Sequence, residues 1–239
     1  MPEPIIIVGA GQAGAQAVHS LRTSGYDGDL IMLGDEGYAP YQRPPLSKKF
    51  LAGEVGSDHL LLRPSAFYDQ AKVDLRTASA VSAIDVDGHA VETAAGGRIP
   101  YSKLLIATGT RARPLPIPGA DLKGVVTLRT IADVTLMRGV FQPGTRLVII
   151  GGGYIGLEVA AVARSLGLDV TVLEVAARVL QRVVSWQVSD FYQRLHADHG
   201  VKIRLGARLS AIDGEGHVEA VRLADGTTIP ADMVLVAIG

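Results

Sequence analysis

The first apolar run, Ile5–Val8, is short, β-branched and unbroken by any polar residue. It stops at Gly9, after which apolar residues recur at helical spacing: Ala13, Ala17, Val18, Leu21. Residues 29–33 then form a second strand-like run. A strand without polar alternates is one covered on both faces, as parallel sheets are, so this stretch predicts a buried strand–helix–strand unit. The same pattern returns at Arg146–Ile150, passes through a glycine-rich turn at 151–156 and a helix reaching about Leu166, and closes on Asp169–Glu174. The copies lie too far apart for a solenoid period, so the chain reads as a duplicated architecture.

Between the copies, residues 39–51 form a proline-bearing loop and the start of a helix. Residues 80–91 and 97–106 read as strands, with turn signals such as Asp87-Gly88. Residues 113–119, RPLPIPG, make a stiff crossover. The domain boundary is placed there, giving domains at 1–113 and 114–239. Further strands are expected at 200–211 and 217–223, and a last apolar strand at 233–238.

Composition narrows the class. A chain of 239 residues, 48% hydrophobic, is long enough for one or two real cores. A net charge of -1 gives no footprint for nucleic acid or an anionic membrane. There is no cysteine, which excludes disulfides, thiolate metal sites and a redox-active CxxC pair. No basic residue precedes the first apolar run, Arg22 being the first positive charge, so no secretory leader is expected. No apolar stretch approaches the ~20 residues of a membrane span. A soluble cytoplasmic protein is the expectation.

The two turns carry the chemistry. Gly9-Ala-Gly11-Gln-Ala-Gly14 follows a strand and opens a helix. In such a turn the first glycine makes the bend, the second lets a pyrophosphate approach, and the third lets helix pack on strand. The phosphates then face the free N–H groups of the helix start. An acid about 20 residues on should take the ribose; Asp35 and Glu36 both stand there, and spacing does not choose between them. Gly151-Gly-Gly153-Tyr-Ile-Gly156 has the same spacing, with Glu174 closing its second strand. A carboxylate there accepts from a ribose hydroxyl and repels a 2′-phosphate, which favours NADH over NADPH. Arg178 and Arg182 are near enough to serve a phosphate or simply to be solvated surface charges. Glu158, in the first turn of the second helix, either interacts with the helix N-terminus or sets a carboxylate near the nicotinamide amide.

Eight segments together resemble the FAD-dependent pyridine nucleotide oxidoreductases. They are IIIVGAGQAG (5–14), LGDE (33–36), YQRPPLSK (41–48), LLIATGTRARPLPIPG (104–119), LRTIAD (128–133), VIIGGGYIGLEVAA (148–161), VTVLEVAARVLQRVV (170–184) and LVAIG (235–239). Within that family they are similar to the NADH-dependent ferredoxin reductases of the putidaredoxin and rubredoxin reductase type. The resemblance implies an α/β fold with two Rossmann-like dinucleotide-binding domains, the first for FAD and the second for NADH. It implies FAD contacts at Gly9, Gly11, Ala13, Gly14, Asp35 or Glu36, Arg43, Lys48, Val81, Thr108, Gly109 and Arg129. It implies NADH contacts at Gly153, Ile155, Gly156, Glu158 and Glu174. Lys48 and Glu158 are the groups expected nearest the chemistry, a cation beside a flavin ring stabilising the charge that builds on reduction. The family continues beyond the AIG segment, so a C-terminally truncated chain with an incomplete FAD domain is expected.

The activity implied is electron transfer from NADH through FAD to a [2Fe–2S] ferredoxin of a P450 or dioxygenase chain. Without cysteines, electrons cannot leave through a disulfide. The alternatives are an NADH oxidase or quinone reductase on the same fold, or a nucleotide-binding fragment without turnover. Neither nucleic acid nor membrane is an expected partner. No metal site is expected: His196 and His199 share a helical face but have no evident third ligand. Trp186, Phe191 and Tyr192 read as packing residues of the helix after the second unit. Arg111 and Arg113 face either FAD or the domain boundary.

Overall fold

The computed structural model describes residues 3–64 and 66–239; Met1 and Pro2, at the head of the segment on which the leader expectation rests, lie outside them. The chain divides into two compact units, Met1–Gln42 with Asp58–Thr110, and Arg43–Ser57 with Arg111–Gly239. The division thus runs at 110/111 rather than 113/114, and residues 43–57 pack with the second unit.

The first unit contains β1 (Ile5–Val8), α1 (Gln12–Thr23), β2 (Leu30–Leu33), α2 (Ala66–Gln70), β3 (Val73–Arg76), β4 (Val81–Asp85), β5 (Ala90–Thr93), β6 (Arg98–Pro100) and β7 (Lys103–Ile106). Its parallel sheet has the order β3-β2-β1-β7. The unbroken apolar character of β1 has a direct cause. Ile6 and Val8 pack with Ile31, Leu33, Val91 and Tyr101 on one face, and Ile7 packs with Val18, Leu30, Met32 and Tyr68 on the other. One face is covered by the antiparallel meander β4-β5-β6, the other by α1.

The second unit carries a one-turn 3₁₀ helix at Pro44–Ser47, then β8 (Val125–Thr127), α3 (Ile131–Val140), β9 (Arg146–Ile150), α4 (Tyr154–Ser165), β10 (Asp169–Glu174), α5 (Trp186–Asp198), β11 (Lys202–Leu205), β12 (Leu209–Asp213), β13 (Ala220–Leu223), β14 (Thr228–Pro230) and β15 (Met233–Val236). The parallel sheet is ordered β11-β10-β9-β15-β8, and β12-β13-β14 is a second antiparallel meander. Val148, Ile150, Val234 and Val236 pack against Val221, Leu223 and Ile229 of that meander. The starts of β9 and β15 are tied by Asp232, which accepts from the Arg146 backbone N–H at 2.8 Å and from its guanidinium. The arginine's hydrogen bonds hold the Asp232 carboxyl below the usual carboxylate range.

The duplication therefore extends beyond the two strand–helix–strand units. Sheet strand, helix, two sheet strands, meander and closing strand follow in the same order in both units. Several elements depart from the sequence reading. The run at 97–106 is two strands in different sheets, broken at Tyr101-Ser102. The start of a helix at 39–51 is a single 3₁₀ turn. β3, β8, β14, α2 and α3 were not foreseen; the strands among them span only three or four residues, too few for a period to show. Among the described residues, no helix is long and apolar enough to cross a membrane.

Candidate dinucleotide-binding sites

Both glycine turns sit where their sheet's strand order switches direction. β1 lies between β2 and β7, and β9 lies between β10 and β15. Such a switch opens a crevice at the strand C-termini, the usual place for a nucleotide. Gly9 has φ +118 and Gly151 φ +111, a region open essentially to glycine alone. A Cβ on Gly9 would lie 2.2 Å from the Ala107 carbonyl oxygen, and one on Gly151 2.5 Å from that of Ala237. A Cβ on Gly14 would meet the Gly9 oxygen at 2.1 Å, and one on Gly156 the Gly151 oxygen at 2.1 Å. The middle glycines are different. A methyl group on Gly11 or Gly153 meets nothing within 4 Å beyond its chain neighbours.

Those two glycines are also the N-caps of α1 and α4, and neither helix start has a side-chain cap or an acidic residue in its first turn. Open space over uncapped N–H groups suits a pyrophosphate, so both turns fit the dinucleotides that the resemblance implies. Ala13 and Gly14 lie in the first turn of α1, Val81 begins β4, and Thr108 and Gly109 follow β7, Gly109 with φ +71.

The second turn opens into a cavity of about 900 Å³, lined among others by Gly153, Tyr154, Ile155, Glu174, Arg182 and Arg208. At its rim both oxygens of Glu174 are engaged by backbone: Oε2 accepts from Gly152 N–H at 2.7 Å and Oε1 from Ala176 N–H at 2.8 Å. Arg178 is spent elsewhere, its guanidinium donating to the carbonyls of Gln181 and Val184 at 2.9 and 3.0 Å. It staples the 178–185 loop, whereas Arg182 stays exposed at the cavity wall.

The acidic positions of the two units are not equivalent. Gly9 N–H donates to Leu33 O and Gly151 N–H to Leu173 O, so Leu33 corresponds to Leu173 and the partner of Glu174 is Gly34. The acidic candidates of the first unit, Asp35 and Glu36, stand one and two residues further on. Glu36 accepts from the Tyr41 hydroxyl, which ties the 36–41 loop, and Asp35 is exposed beside it.

The second unit gathers residues assigned by resemblance to different cofactors. Arg43 donates to the Arg129 carbonyl at 2.6 Å. The Arg129 Nε is buried and finds no hydrogen-bond partner among the described residues. Lys48 Nζ lies 2.7 Å from Glu158 Oε2 and also donates to Pro44 O at 3.2 Å. Glu158 is the fifth residue of α4, beyond its first turn, which removes the reading as a helix-terminus partner. Ser47, which the sequence reading missed, donates to the same Oε2 at 2.5 Å. Its signal was only its place before Lys48 in RPPLSK.

One further expectation is corrected. Trp186, Phe191 and Tyr192 do not pack into a core. They are 65%, 55% and 38% exposed, Phe191 and Tyr192 resting edge-on against each other and Tyr192 lining the groove between α4 and α5. His199 is the C-cap residue of α5, its Nδ1 2.8 Å from Leu195 O, and with His196 it lines the groove between α4 and α5. Burial, with His199 nearby, lowers the His196 pKa.

Comparison with known proteins agrees with this geometry. Residues 3–239 match the family described as pyridine nucleotide-disulphide oxidoreductase, and the chain belongs to that family. It is 43% identical over 238 residues to a probable ferredoxin reductase of Castellaniella defragrans, covering 99% of this chain and 58% of that one. It is 42% identical to the ferredoxin–NAD(+) reductase component of the biphenyl dioxygenase system of Paraburkholderia xenovorans, covering 100% of this chain and 58% of the relative. Among solved structures, a covalent putidaredoxin reductase–putidaredoxin complex superposes with a TM-score of 0.94 at 40% identity, over 99% of this chain and 58% of that chain. The chain thus spans 58% of the length of these relatives.

Proposed function

We propose that this chain provides the nucleotide-binding apparatus of an NADH-dependent ferredoxin reductase, a flavoprotein that passes electrons from NADH through FAD to a [2Fe–2S] ferredoxin of a P450 or dioxygenase chain. The observation that carries the reading is the same phosphate cradle built twice, each at the switch point of its own parallel sheet. Two cradles call for two dinucleotides, one resident and one exchanging. The relatives named as ferredoxin reductases supply the direction of electron flow.

In this reading Gly9, Gly11, Ala13 and Gly14 hold the FAD pyrophosphate, Asp35 takes its ribose, and Val81, Thr108 and Gly109 border it. Arg43, Lys48 and Arg129 are the other residues that the resemblance gives to the flavin. Gly153, Ile155 and Gly156 hold the NADH pyrophosphate, Glu174 its adenosine ribose, and Glu158 its nicotinamide end. Bound FAD supplies the conversion of a two-electron donor into one-electron steps, chemistry no side chain offers. The chain contributes binding, orientation and charge. Lys48, held by Glu158, keeps a cation where negative charge builds. No residue acts as nucleophile, in keeping with a chain that has no cysteine. The absence of cysteines and of a membrane-crossing helix among the described residues supports a place in the cytoplasm.

The acceptor is tested by stopped flow on the full-length native protein reduced with NADH. A [2Fe–2S] ferredoxin should reoxidise it at least ~100-fold faster than oxygen or a soluble quinone, since electrostatically steered protein encounters reach ~10⁸ M⁻¹s⁻¹. Equal or faster reoxidation by oxygen or quinone would move the protein to an oxidase or quinone reductase.

A further inference from the structure

Ser47 is 4% exposed, and its hydroxyl and the Lys48 ammonium both donate to a single oxygen of Glu158. No described residue donates to the other oxygen, Oε1. A carboxylate held by one oxygen from two directions cannot rotate freely, and its second oxygen is presented in a fixed orientation. Glu158 and Tyr154 stand one helical turn apart, and both line a second groove of about 710 Å³ between α4 and α5. Tyr154 lines the 900 Å³ cavity as well. A dinucleotide with its pyrophosphate over Gly153 and its adenosine end at Glu174 has its other half left to place, and Tyr154 and Glu158 lie next along α4.

We propose that Ser47 is a positioning residue. Its buried hydroxyl fixes Glu158 so that Oε1 accepts from the carboxamide N–H of the nicotinamide ring. Lys48 alone cannot do this, because its stem is flexible and its side chain is 48% exposed. The hydroxyl sits on the 3₁₀ turn at Pro44–Ser47, where two prolines set the backbone angles in advance. The rigid donor therefore comes from the turn and the charge from the lysine. The inference rests on NADH occupying the second cradle.

The test compares two ligands on the full-length, FAD-loaded protein: NADH, and ADP-ribose, which lacks the nicotinamide. Ser47→Ala should weaken NADH roughly tenfold, the size of one hydrogen bond to a charged group, and leave ADP-ribose unchanged. Ser47→Thr, which keeps the hydroxyl, should bind both as the native protein does. Should Ser47→Ala fail to fold, Ser47→Cys, of similar size but a poor donor, carries the same expectation. Equal weakening of both ligands, or of neither, would overturn the positioning role. A native protein that binds neither ligand would instead sink the function proposed above, so the two failures are distinguishable.

Discussion

Replacing Gly156 by alanine should raise the NADH dissociation constant by about 100-fold while leaving FAD occupancy intact, and Gly14→Ala should do the reverse. The argument is steric. Each new Cβ would lie 2.1 Å from a backbone carbonyl oxygen, that of Gly151 or Gly9. That oxygen cannot yield, because the first glycine is itself wedged against Ala237 or Ala107. The helix must move instead, by roughly 1 Å, and it carries with it the N–H groups that face the pyrophosphate. A displacement of that size costs about 100-fold where geometry decides binding. The cost in stability should stay near ~1–3 kcal/mol, the range for overpacking, because the rest of each sheet and helix is untouched. Flavin absorbance of the purified variants and NADH titration read the two sites separately. Loss of both ligands in either variant would mean that the cradles are not independent.

The second large effect belongs to Glu174. Its two oxygens accept from the backbone N–H groups of Gly152 and Ala176, which fixes the carboxylate at the cavity rim. Glu174→Ala removes the ribose acceptor and leaves two N–H groups without it. Hydrogen bonds to a charged group contribute ~1.5–3 kcal/mol, so NADH should bind about 10- to 100-fold more weakly. The same change removes the charge that repels a 2′-phosphate, and Arg182 and Arg208 remain exposed at the cavity wall. The NADH-to-NADPH ratio of kcat/KM should therefore fall further than NADH affinity alone, by a second factor of about 10. Glu174→Gln, which keeps one acceptor oxygen without the charge, should fall between. An unchanged ratio in Glu174→Ala would place the adenosine ribose elsewhere.

The features most legible in the sequence were those imposed by burial on both faces of a strand. β1 and β9 had to be apolar without alternation because α1 or α4 covers one face and a meander the other, and the first and third glycines of each turn followed from contacts that admit no side chain. Short strands at an edge or in a meander left little trace. β3 alternates Val73, Asp74, Leu75, Arg76, and its four residues pair on one side only. α3 did carry a signal that went unused, the capping box of Thr130 and Asp133 that opens it. The site was legible where its residues are near in sequence. Contacts that join Ser47 and Lys48 to Glu158 across more than a hundred positions could not be read from spacing, nor could the register that makes Gly34, and not an acid, the counterpart of Glu174. The aromatic residues of α5 misled because large apolar side chains are usually buried, and here Trp186 and Phe191 stay more than half exposed.

The central claim is that two like cradles do different work. The direct measurement is a stoichiometric titration of the full-length native protein: flavin per chain by absorbance, then NAD⁺ or ADP-ribose bound per chain by calorimetry with the flavin in place. The account predicts one FAD and one NAD⁺ per chain, each ADP-ribose molecule competing with NAD⁺ and displacing no flavin. A protein in which NAD⁺ or ADP-ribose expels FAD, or in which the flavin-loaded form binds neither, would contradict it.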